Sequence, residues 1–131
     1  MPDGGKRQRV LVVDDEPGIL HFVRVNLNLA GYDVITTTSG EEALELLKAD
    51  KPDIMLLDVL MRPMSGLDVL SQLRMFSQVP VIMFTGRQDI GPKALREGAN
   101  DYIGKPFKPD DLMKKIRNIL ENKVIPRSTN R

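Results

Sequence analysis

The sequence predicts an α/β fold, a three-layer doubly wound sandwich in which helices cover both faces of a five-stranded parallel sheet. Three observations predict it. Residues 10–13, 54–57 and 81–84 are apolar at every position, as strands buried on both sides require. Segments with apolar residues three and four apart separate those runs, the spacing of helices with one buried stripe. Strand and helix signals alternate along a chain of 131 residues, which suits one domain and right-handed crossovers between parallel strands.

Each element has its own reason. Residues 10–13 form the first strand, and Ile19, Leu20, Val23, Leu27 and Ala30 then repeat at helical spacing between Pro17, near the first helical position, and Gly31, just past the last. The β-branched residues at 34–37 form a second strand. Ser39 and Glu42, three apart, predict a capping box ahead of Ala43, Leu44 and Leu47. After the strand at 54–57, Leu67, Leu70 and Leu73 mark a helix over 66–75; after the strand at 81–84, a short helix over 92–97 ends at Gly98. Tyr102 and Ile103 mark the fifth strand. Pro109, Asp110 and Asp111 open the last helix and Lys114, Lys115 and Arg117 follow, charges ordered to suit the helix dipole, while Leu112, Ile116, Ile119 and Leu120 share a face.

A chain with 41% hydrophobic and 28% charged residues has the composition of an ordinary globular domain. It has no cysteine and one histidine, His21, which excludes a disulfide framework, a zinc ribbon, a thiol nucleophile and a histidine-based triad. Chemistry falls to carboxylates, hydroxyls and amines. His21 reads as a surface or structural residue and the methionines mostly as core filler. No apolar run approaches the ~18 residues of a membrane helix, and no hydrophobic stretch of signal-peptide type follows the basic residues near the start, so a cytoplasmic address is the default expectation. The net charge of +1 comes from the two ends, where Lys6, Arg7 and Arg9 outweigh Asp3 and where Lys123, Arg127 and Arg131 outweigh Glu121. The body between them is mildly acidic and offers no basic stripe, so direct nucleic-acid binding is not expected. Residues 1–8 are expected to be a disordered tail, 9–122 the domain, and 123–131 a second tail or the start of a linker.

In open parallel sheets, function gathers beyond the carboxyl ends of the strands. Asp14, Asp15 and Glu16 follow the first strand, Asp58 the third, Thr85 and Gly86 the fourth, Lys105 and Pro106 the fifth. Two carboxylates ~4 Å apart repel by about 4 kcal/mol at an effective dielectric of 20. A cluster of Asp14, Asp15 and Asp58 therefore calls for a hard divalent cation, and Mg2+, with its preference for oxygen ligands, suits it. Asp58 can then receive a phosphoryl group. A carboxylate is a competent nucleophile toward phosphorus, the metal offsets charge, and an ammonium and a hydroxyl hold the equatorial oxygens. Lys105 and Thr85 supply both. Taken singly, these residues also suit a helix N-cap or loops; their joint placement after four strands favours chemistry.

The ordered segments Val10-Leu11-Val12-Val13-Asp14-Asp15-Glu16-Pro17, Leu57-Asp58, Met64-Ser65-Gly66, Thr85-Gly86, Gly98-Ala99-Asn100-Asp101-Tyr102 and Lys105-Pro106-Phe107 resemble the response-regulator receiver domain of bacterial two-component signalling, over about residues 9–122. The resemblance implies a flavodoxin-like strand order 2-1-3-4-5 and Asp58 as the phosphorylated residue. It implies Asp15, Asp58 and the Leu60 carbonyl as direct Mg2+ ligands, with Asp14 reaching the metal through water. Thr85 and Lys105 would be drawn to the phosphoryl oxygens, and Tyr102 would swing inward behind the threonine and reshape the face of helix four, strand five and helix five. The Lys105–Pro106 bond would be cis. The implied partners are a sensor histidine kinase or phosphotransfer protein as donor and a downstream effector protein or effector domain as output, with a phosphorylation-dependent dimer as a further option. The implied chemistry is self-catalysed phosphoryl acceptance and slow autodephosphorylation rather than that of an enzyme.

The chain also departs from the family. Arg62 stands where a proline is usual and Pro63 follows it, so the loop carrying the Leu60 carbonyl is expected to be reshaped. The stretch from Thr85 to Gly98 is shorter than the norm, with Gly91-Pro92 where helix four begins, so that helix is expected to be short or displaced. Leu60 and Arg87, two residues past Asp58 and Thr85, offer no carboxylate or amide to orient an attacking water, which implies a long-lived phosphoryl state. Two alternatives stay within the family: a receiver with an impaired metal site that binds its partner without phosphorylation, and a truncated receiver from a DNA-binding transcriptional regulator. From other classes, a phosphatase of the haloacid-dehalogenase type needs a second Asp where Leu60 stands, and an FMN binder would have its phosphate repelled by Asp14-Asp15-Glu16.

Overall fold

The structure, a computed structural model, describes residues 7–122, so the expectations for 1–6 and 123–131 fall outside the described residues. Residues 7 and 8 run beside the sheet: the Gln8 carbonyl accepts from the Asp33 amide at 3.0 Å, and Arg7 Nη1 stands 3.8 Å from Asp33 Oδ1. The strands are β1 (Arg9–Val13), β2 (Asp33–Thr37), β3 (Ile54–Asp58), β4 (Val81–Thr85) and β5 (Asp101–Gly104). The helices are α1 (Pro17–Leu29), α2 (Gly40–Asp50), α3 (Gly66–Leu73), α4 (Gly91–Arg96) and α5 (Pro109–Asn122), with a 3-10 turn (Gln88–Ile90) leading into α4. All strand pairings are parallel, in the order β2-β1-β3-β4-β5.

Alternate residues of the central strands serve opposite cores. Leu11, Val13, Met55, Leu57, Val81 and Met83 pack with Ala43 and Leu47 of α2 and Val69, Leu70 and Leu73 of α3. Val10, Val12, Ile54, Leu56, Ile82 and Phe84 pack with Leu20, Val23 and Leu27 of α1 and Leu112, Ile116 and Leu120 of α5. No side of these strands meets water, which is why the three runs are apolar at every position. Register carries function: Asp58 pairs with Phe84 and Thr85 with Gly104, so the ends of β3, β4 and β5 arrive together.

Some local expectations change. Ser39 caps α2 by accepting from the Glu42 amide at 3.0 Å, yet the Glu42 carboxylate does not return to Ser39. The Thr37 hydroxyl intervenes, accepting from the Ser39 amide at 3.1 Å and donating to Glu42 Oε1. The reciprocal box is found instead at Ser65 and Asp68, at the head of α3. That helix ends at Leu73, short of residue 75, because the Met75 and Phe76 amides tighten onto carbonyls three residues back, those of Gln72 and Leu73. Arg74 there turns sideways, donating to the carbonyls of Ser77 (3.1 Å), Val79 (2.8 Å) and Gly98 (2.9 Å) and to Asn100 Oδ1 (3.1 Å). In α5, Ile119 is half-buried beside the buried Leu112, Ile116 and Leu120. The short α4 matches the expectation, and Gly98 beyond it takes φ +114°, where a side chain would be strained.

Candidate functional site

β1 and β3 are neighbours, and both end in acid. Asp14 follows β1, fully buried, its amide donating to the Thr37 carbonyl at 3.2 Å; Asp58 closes β3 and is 3% exposed. Carboxylate oxygens of Asp14, Asp15 and Asp58 lie within 4.8 Å of one another. Lys105, just past β5, places Nζ 2.8 Å from Asp14 Oδ2, 3.1 Å from Asp58 Oδ1 and 3.8 Å from Glu16 Oε1. The lysine is set by its surroundings: its amide donates to the Thr85 carbonyl at 2.8 Å, and Nζ lies 5.3 Å from the centroid of the Phe84 ring, which stacks in turn on Phe107. The Lys105–Pro106 bond is cis. The acids do not serve to start α1, whose N-cap Glu16 makes no side-chain cap bond. Asp14 Oδ1 accepts from the Glu16 amide at 2.9 Å and leaves Oδ2 to Lys105.

Charge in this pocket is under-compensated. Burial pushes the Asp58 carboxyl up from 3.8 to about 6, the charge of Asp14 adds to the push, Lys105 holds it back by hydrogen bond and charge, and Asp15 adds a further upward influence. Burial alone would lower the Lys105 pKa, but its bonds to Asp14 and Asp58 outweigh burial and raise it. One ammonium thus faces a cluster of carboxylates. A divalent cation fits the donor set: at ligand distances of about 2.0–2.1 Å, oxygens on one Mg2+ stand roughly 3 to 4 Å apart, close to the span of this cluster. Asp14, Asp15 and Asp58 are the residues that would hold it.

Thr85, buried at the end of β4, accepts at Oγ1 from the Arg87 amide at 2.9 Å, which leaves its hydroxyl proton to donate elsewhere. Tyr102, half-buried on β5, lies against the first residue of α4: a Cβ on Gly91 would stand 2.2 Å from the ring.

Residues 10–117 match the family model of the response regulator receiver domain. The chain belongs to that family. Transcriptional regulatory protein KdpE of Mycobacterium tuberculosis is 44% identical over 110 residues, which cover 82% of this chain and 49% of that protein. A probable transcriptional regulator, ycf27, of Porphyridium aerugineum is 40% identical over 117 residues, 88% of this chain and 49% of that protein. The chain therefore spans about half the length of the curated relatives it matches. The receiver domain of Francisella response regulator 1452 superposes with a TM-score of 0.84 at 28% identity, over 89% of this chain and 99% of that one. Accepting a phosphoryl group is the standard role of receiver domains, which bind Mg2+ at an acidic pocket and are not classical enzymes.

In this receiver domain Lys105 meets Asp14 and Asp58 directly, Asp15 stands with those two acids, and Thr85 ends the strand beside Asp58. Leu60, two residues past Asp58, is 55% exposed, and Tyr102 packs on Gly91. The acids stay together with Arg62 in the usual proline position and a cis bond between Arg62 and Pro63. Three residues have packing roles that the sequence does not disclose. Gly66 lets α3 press on the acceptor strand: its amide donates to the Val59 carbonyl at 2.8 Å, and a Cβ there would stand 2.0 Å from the Asp58 carbonyl oxygen. The Ser65 to Asp68 spacing was the signal for that tight helix start. Gly91, the seat of Tyr102, and Arg74, the brace of α3 against Gly98, had no local signal because their partners are distant in the chain.

Proposed function

We propose that this receiver domain takes a phosphoryl group onto Asp58 from the phosphohistidine of a sensor histidine kinase or phosphotransfer protein. The observation that carries the reading is Lys105 Nζ held between Asp14 and Asp58 at the edge of the acid cluster, with Thr85 on the adjoining strand. An Asp58 oxygen attacks phosphorus, the phosphorus–nitrogen bond breaks, and the donor imidazole, already protonated on its other ring nitrogen, leaves with the electron pair as neutral imidazole. Asp15, Asp58 and the Leu60 carbonyl, with Asp14 through water, would hold Mg2+, and the ion would supply positive charge to offset that on the transferring oxygens. Lys105 then turns from the carboxylate to the phosphoryl oxygens, and the Thr85 hydroxyl donates to them. Tyr102 follows the threonine inward, altering the surface of α4, β5 and α5 that an effector domain or effector protein reads. Leu60 and Arg87 present no group that orients water, so the phosphoryl is lost slowly. No helix among the described residues is long and apolar enough to cross a membrane, consistent with action in the cytoplasm.

Incubation with Mg2+ and acetyl phosphate tests this: Asp58 attack expels acetate, and intact mass should show a single phosphoryl adduct that requires Mg2+ and is absent in Asp58→Asn. An adduct that persists in Asp58→Asn would overturn the assignment.

A further inference from the structure

Arg87 stands two residues past Thr85 at the mouth of the pocket. Its amide donates to Thr85 Oγ1 at 2.9 Å, so its Cα lies nearer that hydroxyl than the length of its own side chain. The guanidinium is engaged by Asp89. Nη2 stands 2.7 Å from Asp89 Oδ2 and Nε 3.3 Å from Asp89 Oδ1, a two-pronged pair whose side chains are 60% and 67% exposed. Asp89 belongs to the 3-10 turn that runs directly into Gly91.

An ion pair this exposed is weak and easily exchanged. A phosphoryl group brings roughly 1.5 to 2 negative charges and three strong acceptor oxygens, and it would arrive where the described residues supply one ammonium. A guanidinium fork matches such oxygens two at a time, which a point-charge ammonium does not. Thr85 suffers no conflict in the exchange, because it accepts from the Arg87 amide while its own proton goes to the phosphoryl group.

We propose that Arg87 is a phosphoryl-binding residue held in reserve by Asp89. Before phosphorylation its guanidinium pairs with Asp89; afterwards it moves to the phosphoryl oxygens on Asp58, and Asp89 with its 3-10 turn is set free at the head of α4. The inference rests on the reading of Asp58 as phosphoacceptor. Asp89 and the phosphoryl group thus compete for one guanidinium, and removing Asp89 should strengthen the pocket's grip on an anion only while Arg87 is present.

The test is a double-mutant cycle in the presence of Mg2+ with beryllofluoride, a non-covalent stand-in for the phosphoryl group, read by calorimetric affinity for wild type, Arg87→Gln, Asp89→Asn and the double variant. Arg87→Gln should weaken binding about tenfold, the loss of a charge-assisted hydrogen bond. Asp89→Asn should tighten it about threefold, the release of an exposed ion pair, and should have no effect in the Arg87→Gln background. Equal affinity of Arg87→Gln and wild type, or a gain from Asp89→Asn that survives without Arg87, overturns the inference while leaving Asp58 as acceptor. A wild-type protein that takes neither beryllofluoride nor a phosphoryl group from acetyl phosphate overturns the phosphoacceptor reading and this inference with it.

Discussion

Gly66 and Gly91 each open a helix, and they meet different neighbours. A Cβ on Gly66 would strike the Asp58 carbonyl at 2.0 Å, whereas one on Gly91 would strike the Tyr102 ring at 2.2 Å. The main chain of β3 cannot yield without carrying Asp58 with it; a tyrosine ring can turn to another rotamer. The same contrast runs through both regions. Around Asp58, strands buried on both faces and a reciprocally capped α3 fix the acids. Around α4 stand a 3-10 turn, an N-cap without a side-chain bond and an exposed ion pair. The acids sit on tightly packed elements, whereas the side chains around α4 have alternatives.

The largest loss is expected where α3 meets the backbone of β3. Gly66→Ala should cost about 3 kcal/mol of stability, because the overpacked neighbour is backbone, and should also slow phosphoryl acceptance; urea unfolding and the adduct assay check both. Arg74→Met should cost about 2 kcal/mol through the carbonyls it leaves unpaired, with hydrogen exchange quickening at the Ala99 and Asn100 amides.

The pocket's own charge gives a third, smaller effect. The Asp58 pKa of about 6 lies above its ordinary 3.8, so the folded state holds the proton more tightly than the unfolded chain. Stability therefore falls as pH rises from about 4 to 6, and the ionised carboxylate is a cost at neutral pH. Asp58→Asn should be more stable than wild type by on the order of 1 kcal/mol at pH 7, since the lost Lys105 bond offsets part of the gain, and the advantage should fade toward pH 4. Unfolding measured across that range checks the sign. Smallest of all, Gly91→Ala should cost under about 1 kcal/mol yet change the tyrosine fluorescence, because the ring moves aside. A cost as large as that of Gly66→Ala would erase the distinction between the two regions.

Much of this was legible beforehand where physics is local. β1, β3 and β4 announce themselves because both faces are dry, and the pocket because acids, a hydroxyl and a lysine follow the strands. The short α4 was written in Gly91-Pro92 and Gly98. Thr37 displaced the expected capping box because β2 ends within reach of Glu42, a placement decided by the turn and not by the Ser39 to Glu42 spacing. Arg74 finds Gly98 and Asn100 only after β4 and β5 have paired, and Tyr102 finds Gly91 the same way. Such contacts have no signature until the sheet exists.

The Arg74 brace has a mechanical consequence. It ties Gly98 and Asn100 to the end of α3, so the chain just past α4 is anchored by hydrogen bonds, while Gly91 at its head rests on the Tyr102 ring, a side chain that can turn. A helix of six residues is about 9 Å long. With a pivot at Gly98, a tilt of about 15° would shift the head by roughly 2 Å while the tail stayed in place. A partner reading such a tilt would sense it best at the pocket-proximal end of α4, where displacement would be largest, and least near Arg74.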